Sequence, residues 1–483
     1  MPWWTSAPAG LAALSLGACA AVGPNFKAPA TPNPPGYAMG GDNAPSEAML
    51  SPESRAAGSW WRSLGSTQLD AVMDEALAGN KTAAAAVASL DKARAQLSSA
   101  QGGLAPQVTA NGSAERTRIN IASFGFSLPG ISNPTVNLFS IGAAVNYDLD
   151  LFGGGRRRVE TARAVAQAQA LRADAAYLTL TGNVALQAVR VAGLRAQIEA
   201  LRAITADDQR NIDIVRRAEA EGGEARSATP GGLAQLAEDQ ALLSPLEQQL
   251  DQARHALALL VGRPAASWRA PDFTYEEFSP PATIPVSLPS TLARGRPDIL
   301  AAEADLHADT ARIGVATADL YPDIRLGAAY TQTAVTPGAL FGYGASGWNI
   351  GPTFSAPIFN GGALRADRRA AEAQARVSLA QYQQTVLTAF TQVSDVLSAL
   401  AADEAHLAAL DRAEAAATSS LDDARSAYRL GGAPFVSVTD AQRQLDRARM
   451  ARIGAQGQRL TDVIELYAAT ATDWRDKSVE SDR

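Results

Sequence analysis

Two stretches of the chain alternate between apolar and polar residues with a period of two. From Ser140 to Leu151 every second residue is apolar, and Gly347 to Ala356 keeps the same pattern. Pro106 to Thr117 and Asp323 to Thr331, which precede them, alternate more weakly. A period of two predicts β-strands with one apolar face and one polar, water-exposed face. The chain should therefore contain four strands of about ten residues, grouped in two pairs.

Strands of this length, separated by loops rich in glycine, proline and aromatic residues, are typical of outer-membrane barrels. A soluble sandwich with one solvated face is the alternative, but four strands are too few for one in a chain of 483 residues. Four are also too few to close a barrel, since about eight strands are the practical minimum. A barrel therefore requires several chains.

Each strand pair is followed by a long stretch with almost no helix breakers. Gly155 to Gly222 and Gly362 to Gly431 should each form a helix about 100 Å long at 1.5 Å per residue. Their apolar and small residues are spaced alternately by four and three, as in coiled coils whose helices approach closely. These seam positions are Leu171, Ala175, Leu178, Gly182, Ala185, Val189, Ala192 and Ala196 in the first stretch, and Leu379, Tyr382, Val386, Ala389, Val393, Val396 and Leu400 in the second.

Shorter helices accompany each long one. The pattern predicts return helices at Leu233 to Val261 and Phe435 to Ala468, and leading helices at Leu69 to Gln101 and Arg296 to Asp319. One leading and one return helix, stacked end to end, would match a long helix in length. Helix, strand pair and helical hairpin thus occur twice in the same order.

The duplication is also visible in the residues themselves. Asp148 to Gly155 reads DLDLFGGG and Ser355 to Gly362 reads SAPIFNGG. A repeat this long, mixing strand and helix, indicates a duplicated structural unit rather than a short-period solenoid. The predicted boundaries are 60–262 for the first copy, 263–295 for a proline-rich equatorial segment, 296–470 for the second copy and 471–483 for a charged tail.

Composition narrows the function classes. The net charge is -7 and the pI is about 5.2, so nucleic acid finds no basic face to bind. Cys19 is the only cysteine, and the histidines His255, His307 and His406 stand apart without metal-ligand spacing. No phosphate-binding loop or catalytic triad is apparent, so we expect neither an enzyme nor a metal or cofactor.

The N-terminus carries targeting signals. Leu11 to Ala18 is a short apolar run that predicts a signal peptide over residues 1–18. Leu16 to Cys19 is similar to a bacterial lipobox, which implies that Cys19 becomes the N-terminus and carries diacylglycerol and an N-acyl chain such as palmitate. A small buried cysteine is the alternative interpretation. Residues 19–59 contain many prolines and should run extended as a lipidated tether.

Several motifs resemble those of a known family. They are Val22 to Pro29, Trp60-Trp61, Arg296 to Ile299 continuing to Tyr321-Pro322, Tyr428 to Gly432, and Val438 to Gln442. Together they resemble the TolC-like outer-membrane efflux proteins, and within them the OprM and NodT lipoprotein branch. The resemblance extends from Cys19 to about Trp474.

The resemblance implies an α+β membrane protein. Three chains with four strands each would form one outer-membrane β-barrel that continues into a long periplasmic α-helical barrel. This homotrimer would be a passive exit duct for drugs or toxic small molecules, working with a periplasmic membrane fusion adaptor and an inner-membrane RND-type pump. Two alternatives remain: a duct for type I protein secretion, and, in another class, a periplasmic coiled-coil scaffold or adaptor.

Site residues follow from the resemblance as well. It implies a periplasmic gate at Val436, Asp440 and Tyr428. Alternatively, Asp440 is a solvated first-turn carboxylate favoured by the helix dipole, and Tyr428 is a seam residue. Adaptor-contact tips are implied at Arg429, Leu430, Gly431, Gly432, Gly222 and Gly223.

Arginines gather where the first long helix begins. Arg156, Arg157 and Arg158 could lie near lipid phosphates just below the membrane, although solvated helix charges are the favoured interpretation.

Overall fold

The computed structural model describes residues 21–30, 32, 34–37, 39, 50–51, 58–120, 133–281, 283–286 and 289–470. Cys19, the predicted signal peptide and the predicted charged tail lie outside the described residues. The α-helices and the strands longer than two residues are α1 (Thr67–Gly79), α2 (Lys81–Gly102), β1 (Gln107–Arg118), β2 (Thr135–Asp148), α3 (Gly154–Ala220), α4 (Ala228–Val261), α5 (Pro289–Gly295), α6 (Pro297–Ala318), β3 (Asp323–Ala334), β4 (Ser346–Ser355), α7 (Ala363–Arg429) and α8 (Phe435–Thr470).

The chain folds into two compact units, and each unit draws on both copies of the repeat. The first unit comprises Leu90–Gln169, Ala302–Tyr382 and the described part of Met1–Pro29. The second comprises Ala170–Ala301 and the described parts of Ala30–Ser89 and Gln383–Arg483. Strands β1 to β4 therefore belong to the first unit. The helical hairpins, α3 with α4 and α7 with α8, have their turns in the second unit.

The four strands form one antiparallel sheet in the order β1-β2-β3-β4. Its register lines up Val108, Val145, Ala328 and Ile350 in one row across the sheet. Residues paired in this way share a face, and the next residue of each strand lies on the other face. One face of the sheet is thus apolar, as the alternation predicts.

The apolar face of this sheet is exposed within the chain. Trp348 is 77% exposed, Ile350 69% and Phe354 66%. A sheet of a soluble protein would bury such residues against a second layer. The soluble sandwich is therefore wrong for this part of the chain.

The repeated motif after each strand pair starts a long helix. Asp150, at φ +42°, accepts hydrogen bonds from the backbone N–H groups of Gly155 (2.7 Å) and Arg156 (2.9 Å) through its carboxylate. In the second copy Asn360 accepts from the N–H of Gly362 at 3.1 Å. Both side chains satisfy N–H groups that a helix start leaves without partners.

The two long helices have the predicted extent. Helices α3 and α7 contain 67 residues each. The return helix α4 begins five residues before its predicted start at Leu233, and α8 starts at Phe435 as expected.

The leading helix predicted from Leu69 to Gln101 is wrong as a single helix. It divides into α1 and α2 at Asn80, whose backbone is extended (φ -64°, ψ 126°). The Asn80 side chain accepts from the N–H of Ala83 at 2.9 Å and donates to the carbonyl of Leu260 at 2.8 Å. Asn80 therefore caps α2 and ties the break to the end of α4.

Several aromatic residues are buried in the core of the second unit. Trp60, in the 3₁₀ helix Trp60–Leu64, stacks on Tyr467 with ring centroids 5.4 Å apart. Tyr275 enters between α3 and α8 at Gly193 and Gly457, where a Cβ atom would lie 2.5 and 2.2 Å from its hydroxyl oxygen. The segment between the two copies is thus locked against both hairpins by Tyr275.

Candidate functional site

The first hairpin turn follows the end of α3. Gly222 adopts φ +80°, and the N–H of Gly223 donates to the carbonyl of Ala218 at 2.8 Å, which closes the helix with a Schellman-type cap. The Glu219 carboxylate then accepts from the backbone N–H (2.9 Å) and hydroxyl (2.8 Å) of Thr229 at the start of α4. The turn is therefore fixed at both ends.

The second turn repeats this backbone geometry. Gly431 adopts φ +74°, and the N–H of Gly432 donates to the carbonyl of Ala427 at 2.8 Å. Leu430, just before the glycines, is 87% exposed. Arg429 is also exposed, and its guanidinium donates a hydrogen bond to the Ser426 hydroxyl at 3.1 Å. The two tips differ in sequence but end their long helices in the same way.

The two tips are joined to each other within the second unit. The Glu224 carboxylate, in the first turn, accepts from the backbone N–H of Phe435 at 3.2 Å. Phe435 is the first residue of α8, so Glu224 places a negative charge at the positive end of that helix. Sequence reasoning missed Glu224, because nothing in its own turn indicates a partner in the other hairpin.

An apolar cluster supports this junction. Val215 on α3 belongs to the same buried cluster as residues of α7 and α8, so the hairpins pack together near their turns. The buried members of this cluster are Val215, Ala417, Leu421, Phe435, Val438, Ala441 and Leu445.

The predicted gate residues lie at this junction. Tyr428 is half-buried and meets the ring of Phe435 edge-on at 5.2 Å. Val436 is 58% exposed, and Asp440 is exposed with Arg443 3.6 Å from its carboxylate. The structure thus brings Tyr428, Val436 and Asp440 to one helix start, while their gating role stays a prediction.

A cavity of about 400 Å³ opens beside these residues, and we call it the tip cavity. Its walls come from α3, α4, α8 and the first turn. They include Asp208, Ile212, Glu224, Phe435, Val436 and Arg443. The tip cavity is lined by both apolar and polar side chains, and Asp208, Glu224 and Arg443 are its charged groups.

The first unit contains a second built arrangement, around Arg157. Its side chain is only 4% exposed, and the guanidinium donates to the carbonyl of Val22 (3.1 Å) and to the Asn25 side chain (2.8 Å). Arg157 also pairs with Glu160 at 2.6 Å. Arg157 is therefore buried against its own chain. The sequence interpretations of a contact with lipid phosphates and of a solvated helix charge are both wrong for this residue.

The remaining part of the 22–29 motif is held by aromatic stacking. Phe26 lies parallel to the His307 ring at 4.4 Å, and His307 contacts the Glu160 carboxylate at 3.0 Å. Burial opposes ionisation of Glu160, but hydrogen bonds from His307 and Arg157 outweigh it and hold the pKa of Glu160 below its ordinary value. The segment just after the predicted lipidation site is thus fixed to α3 and α6.

No group of three or more histidine, cysteine, aspartate or glutamate side chains in the described ranges could hold a metal ion. The arrangement at the tips is one of packing and charge between helix ends.

Comparison with known proteins decides the family. The model of the outer membrane efflux protein family matches residues 72–263 and 288–472, more than half of the chain. The chain belongs to the outer membrane efflux protein family. The resemblance noted in the sequence is confirmed.

Curated relatives of this efflux protein cover nearly its whole length. It is 30% identical to the pyoverdine export outer membrane protein OpmQ of Pseudomonas aeruginosa, over 86% of this chain and 87% of that protein. It is 26% identical to the cation efflux system protein CusC of Escherichia coli, over 96% and 97% of the two chains.

Solved structures show the same fold. The outer-membrane channel OprN is 26% identical with a TM-score of 0.84, covering 94% of this chain and 99% of that one. The open state of the Neisseria gonorrhoeae channel MtrE is 25% identical with a TM-score of 0.82, covering 94% and 99%. The efflux protein therefore has the TolC-like fold and is an outer-membrane efflux channel with a periplasmic tunnel.

Proposed function

We propose that this efflux protein works as a homotrimeric, passive exit duct for small molecules in a tripartite system. The observation that carries the proposal is the sheet: in the described residues, β1 and β4 each have a neighbouring strand on one side only. Open edges in a membrane need partners, because no water is available to satisfy their N–H and C=O groups. Three copies of a four-stranded sheet would give twelve strands, enough to close a barrel.

The energy for transport would come from outside the chain. A periplasmic membrane fusion adaptor and an inner-membrane RND-type pump are the partners we propose, and exposed Leu430 and Arg429 at the second tip are suited to adaptor contact. The relatives' names refer to pyoverdine export and cation efflux, so their cargoes differ. We propose small molecules as the substrate class on that basis.

We also propose that Cys19 is the lipid anchor. The probable outer membrane lipoprotein SilC of Salmonella typhimurium is 26% identical over 95% of this chain. Arg157 and His307 would then fix the segment that follows the anchor, since Arg157 donates hydrogen bonds to Val22 and Asn25 and His307 stacks on Phe26. The domain limits expected from the repeat, 60–262 and 296–470, remain part of this proposal.

The gate would lie at the start of α8. Asp440 and Val436 are exposed within one chain, so both are available to neighbouring copies around a threefold axis. An acidic ring of this kind would favour cations and narrow the closed tunnel.

Replacement of Asp440 tests duct and gate together. In planar bilayers the wild type should give stepwise conductance, and Asp440→Ala should raise the conductance or remove the effect of added divalent cations. Glu404→Ala, at an exposed position of α7, serves as the control and should behave as wild type. A monomeric protein without conductance would reject the duct, and an Asp440→Ala channel identical to wild type would reject the gate.

A further inference from the structure

Each helical hairpin contains two aspartates that face each other across its helices. Asp208 on α3 lies within hydrogen-bonding reach of Asp239 on α4, and Asp403 on α7 lies within reach of Asp462 on α8. We call them the tip pair and the shaft pair. Two carboxylates at such a distance repel each other unless a proton lies between them.

The surroundings of both pairs are built alike. Within the described residues, one oxygen of Asp208 and one of Asp403 are buried without a hydrogen-bond partner. On the return helix a glutamine four residues earlier holds the second aspartate: Gln235 donates to Asp239 at 2.7 Å and Gln458 donates to Asp462 at 3.0 Å. One aspartate of each pair is therefore fixed by a glutamine donor, while the other has a buried oxygen that a shared proton would satisfy.

Other charged groups act on the tip pair from α8. Asp446 adds negative charge and Arg443 offsets it, while Gln442 links Asp446 to Arg425 of α7. Burial, the hydrogen bond with Asp239 and the charges of Asp239 and Asp446 raise the pKa of Asp208 to about 7.

The shaft pair is more deeply buried, with Asp403 9% and Asp462 4% exposed. Arg459 of α8 offsets part of its charge, and the carboxyl of Glu465 lies near Asp462. Burial, the hydrogen bond with Asp462 and the charge of Asp462 raise the pKa of Asp403 to about 7.

We propose that the two pairs are proton-operated clasps, each of which holds a long helix to its return helix while it shares a proton and loosens that hairpin when both carboxyls are ionised. An unfolded aspartate loses its proton near pH 4, whereas a folded pair with a pKa of about 7 keeps one. Stability contributed by the clasps is therefore greatest at low pH, declines as the pH rises from about 4 to 7, and stays low above it.

For the channel, the consequence rests on the proposed gating. Asp208 lines the tip cavity beside Val436 and Glu224, so ionisation of the tip pair would loosen the helices that carry the gate residues. The channel should then open more readily at pH 8.5 than at pH 5.5.

Hydrogen exchange of the full-length protein in detergent tests the clasps directly. After correction for intrinsic rates, peptides around Asp239 and Asp462 should lose protection on the order of tenfold between pH 5.5 and 8.5. Asp208→Asn should remove the pH response around Asp239 alone, and Asp403→Asn the response around Asp462 alone, because an asparagine amide donates without ionising. Asp422→Asn, on the exposed surface of α7, is the matched control and should keep both responses.

Outcomes separate the clasps from the proposed function. A pH response that persists unchanged in Asp208→Asn and Asp403→Asn overturns the clasps, and Asp239→Asn and Asp462→Asn repeat the test from the other side of each pair. Absence of conductance at every pH would count against the duct, while the exchange data would still decide the clasps. Opening that is independent of pH in a conducting trimer, together with flat exchange, would overturn the clasps and leave the duct intact.

Discussion

At the scale of single residues, one carboxylate joins the two hairpin turns. The first N–H groups of a helix have no partners within it, and Pro434, just before Phe435, has no N–H of its own. Glu224 reaches the N–H of Phe435 from the other hairpin and adds a charge that the helix dipole favours. Substitution of Glu224 should therefore destabilise the start of α8 rather than the turn that contains Glu224.

Glu224→Ala should loosen the start of α8 by about 1 kcal/mol, because both the acceptor and the charge are lost. Exchange of the first-turn amides after Phe435 should become about fivefold faster, as measured by hydrogen exchange and mass spectrometry. Glu224→Gln keeps an acceptor and should show a smaller effect. Glu221→Ala, at an exposed position three residues earlier, should show none, and equal effects at the two positions would contradict the contact.

At the scale of elements, the long helices could be predicted and the break at Asn80 could not. Few helix-breaking residues interrupt residues 155–222 or 362–431. Local helix propensity alone therefore predicts the correct length of α3 and α7. Asn80 follows Gly79, a residue at which a Cβ atom would lie 2.3 Å from the carbonyl oxygen of Val261. The break thus depends on contact with a residue far away in the chain, which no local pattern contains.

The candidate site divides in the same way. Both glycine turns are visible in the sequence as ends of the long helices, and the aspartate and tyrosine of the second tip follow from the family resemblance. Glu224, Arg157 and the paired aspartates act through partners on other elements. Sequence periodicity places such residues on a helix face but does not show what that face meets.

Asn80→Ala should destabilise the junction of α1 and α2 by about 1–2 kcal/mol, because α2 loses its cap and the carbonyl of Leu260 loses a donor. Limited proteolysis with subtilisin should then cut near residue 80 several times faster than in wild type. Ser89→Ala removes only an exposed hydroxyl within α2 and should leave the cutting rate unchanged. Equal rates in wild type and Asn80→Ala would show that the cap does not hold the junction.

At the scale of the whole molecule, one chain leaves its sheet unfinished. The row formed by Val108, Val145, Ala328 and Ile350 faces the same way, and large apolar residues on that face remain exposed. The adjacent row, with Thr109, Ala144, Ala329 and Asn349, lies on the other face. In an outer-membrane channel the apolar face meets lipid and the other face lines water.

Arginine substitutions at two adjacent residues of β4 test this assignment of faces. Ile350→Arg places a charge toward lipid, which costs about 2–4 kcal/mol near the bilayer midplane and less toward its edges. Asn349→Arg places the same charge toward the water-filled interior, where it should be tolerated and should lower cation conductance. The yield of folded trimer in outer-membrane fractions should therefore fall strongly for Ile350→Arg and little for Asn349→Arg. Equal losses of trimer yield for the two variants would mean that β4 does not separate lipid from water. A larger loss for Asn349→Arg than for Ile350→Arg would mean that the assignment of the two faces is reversed.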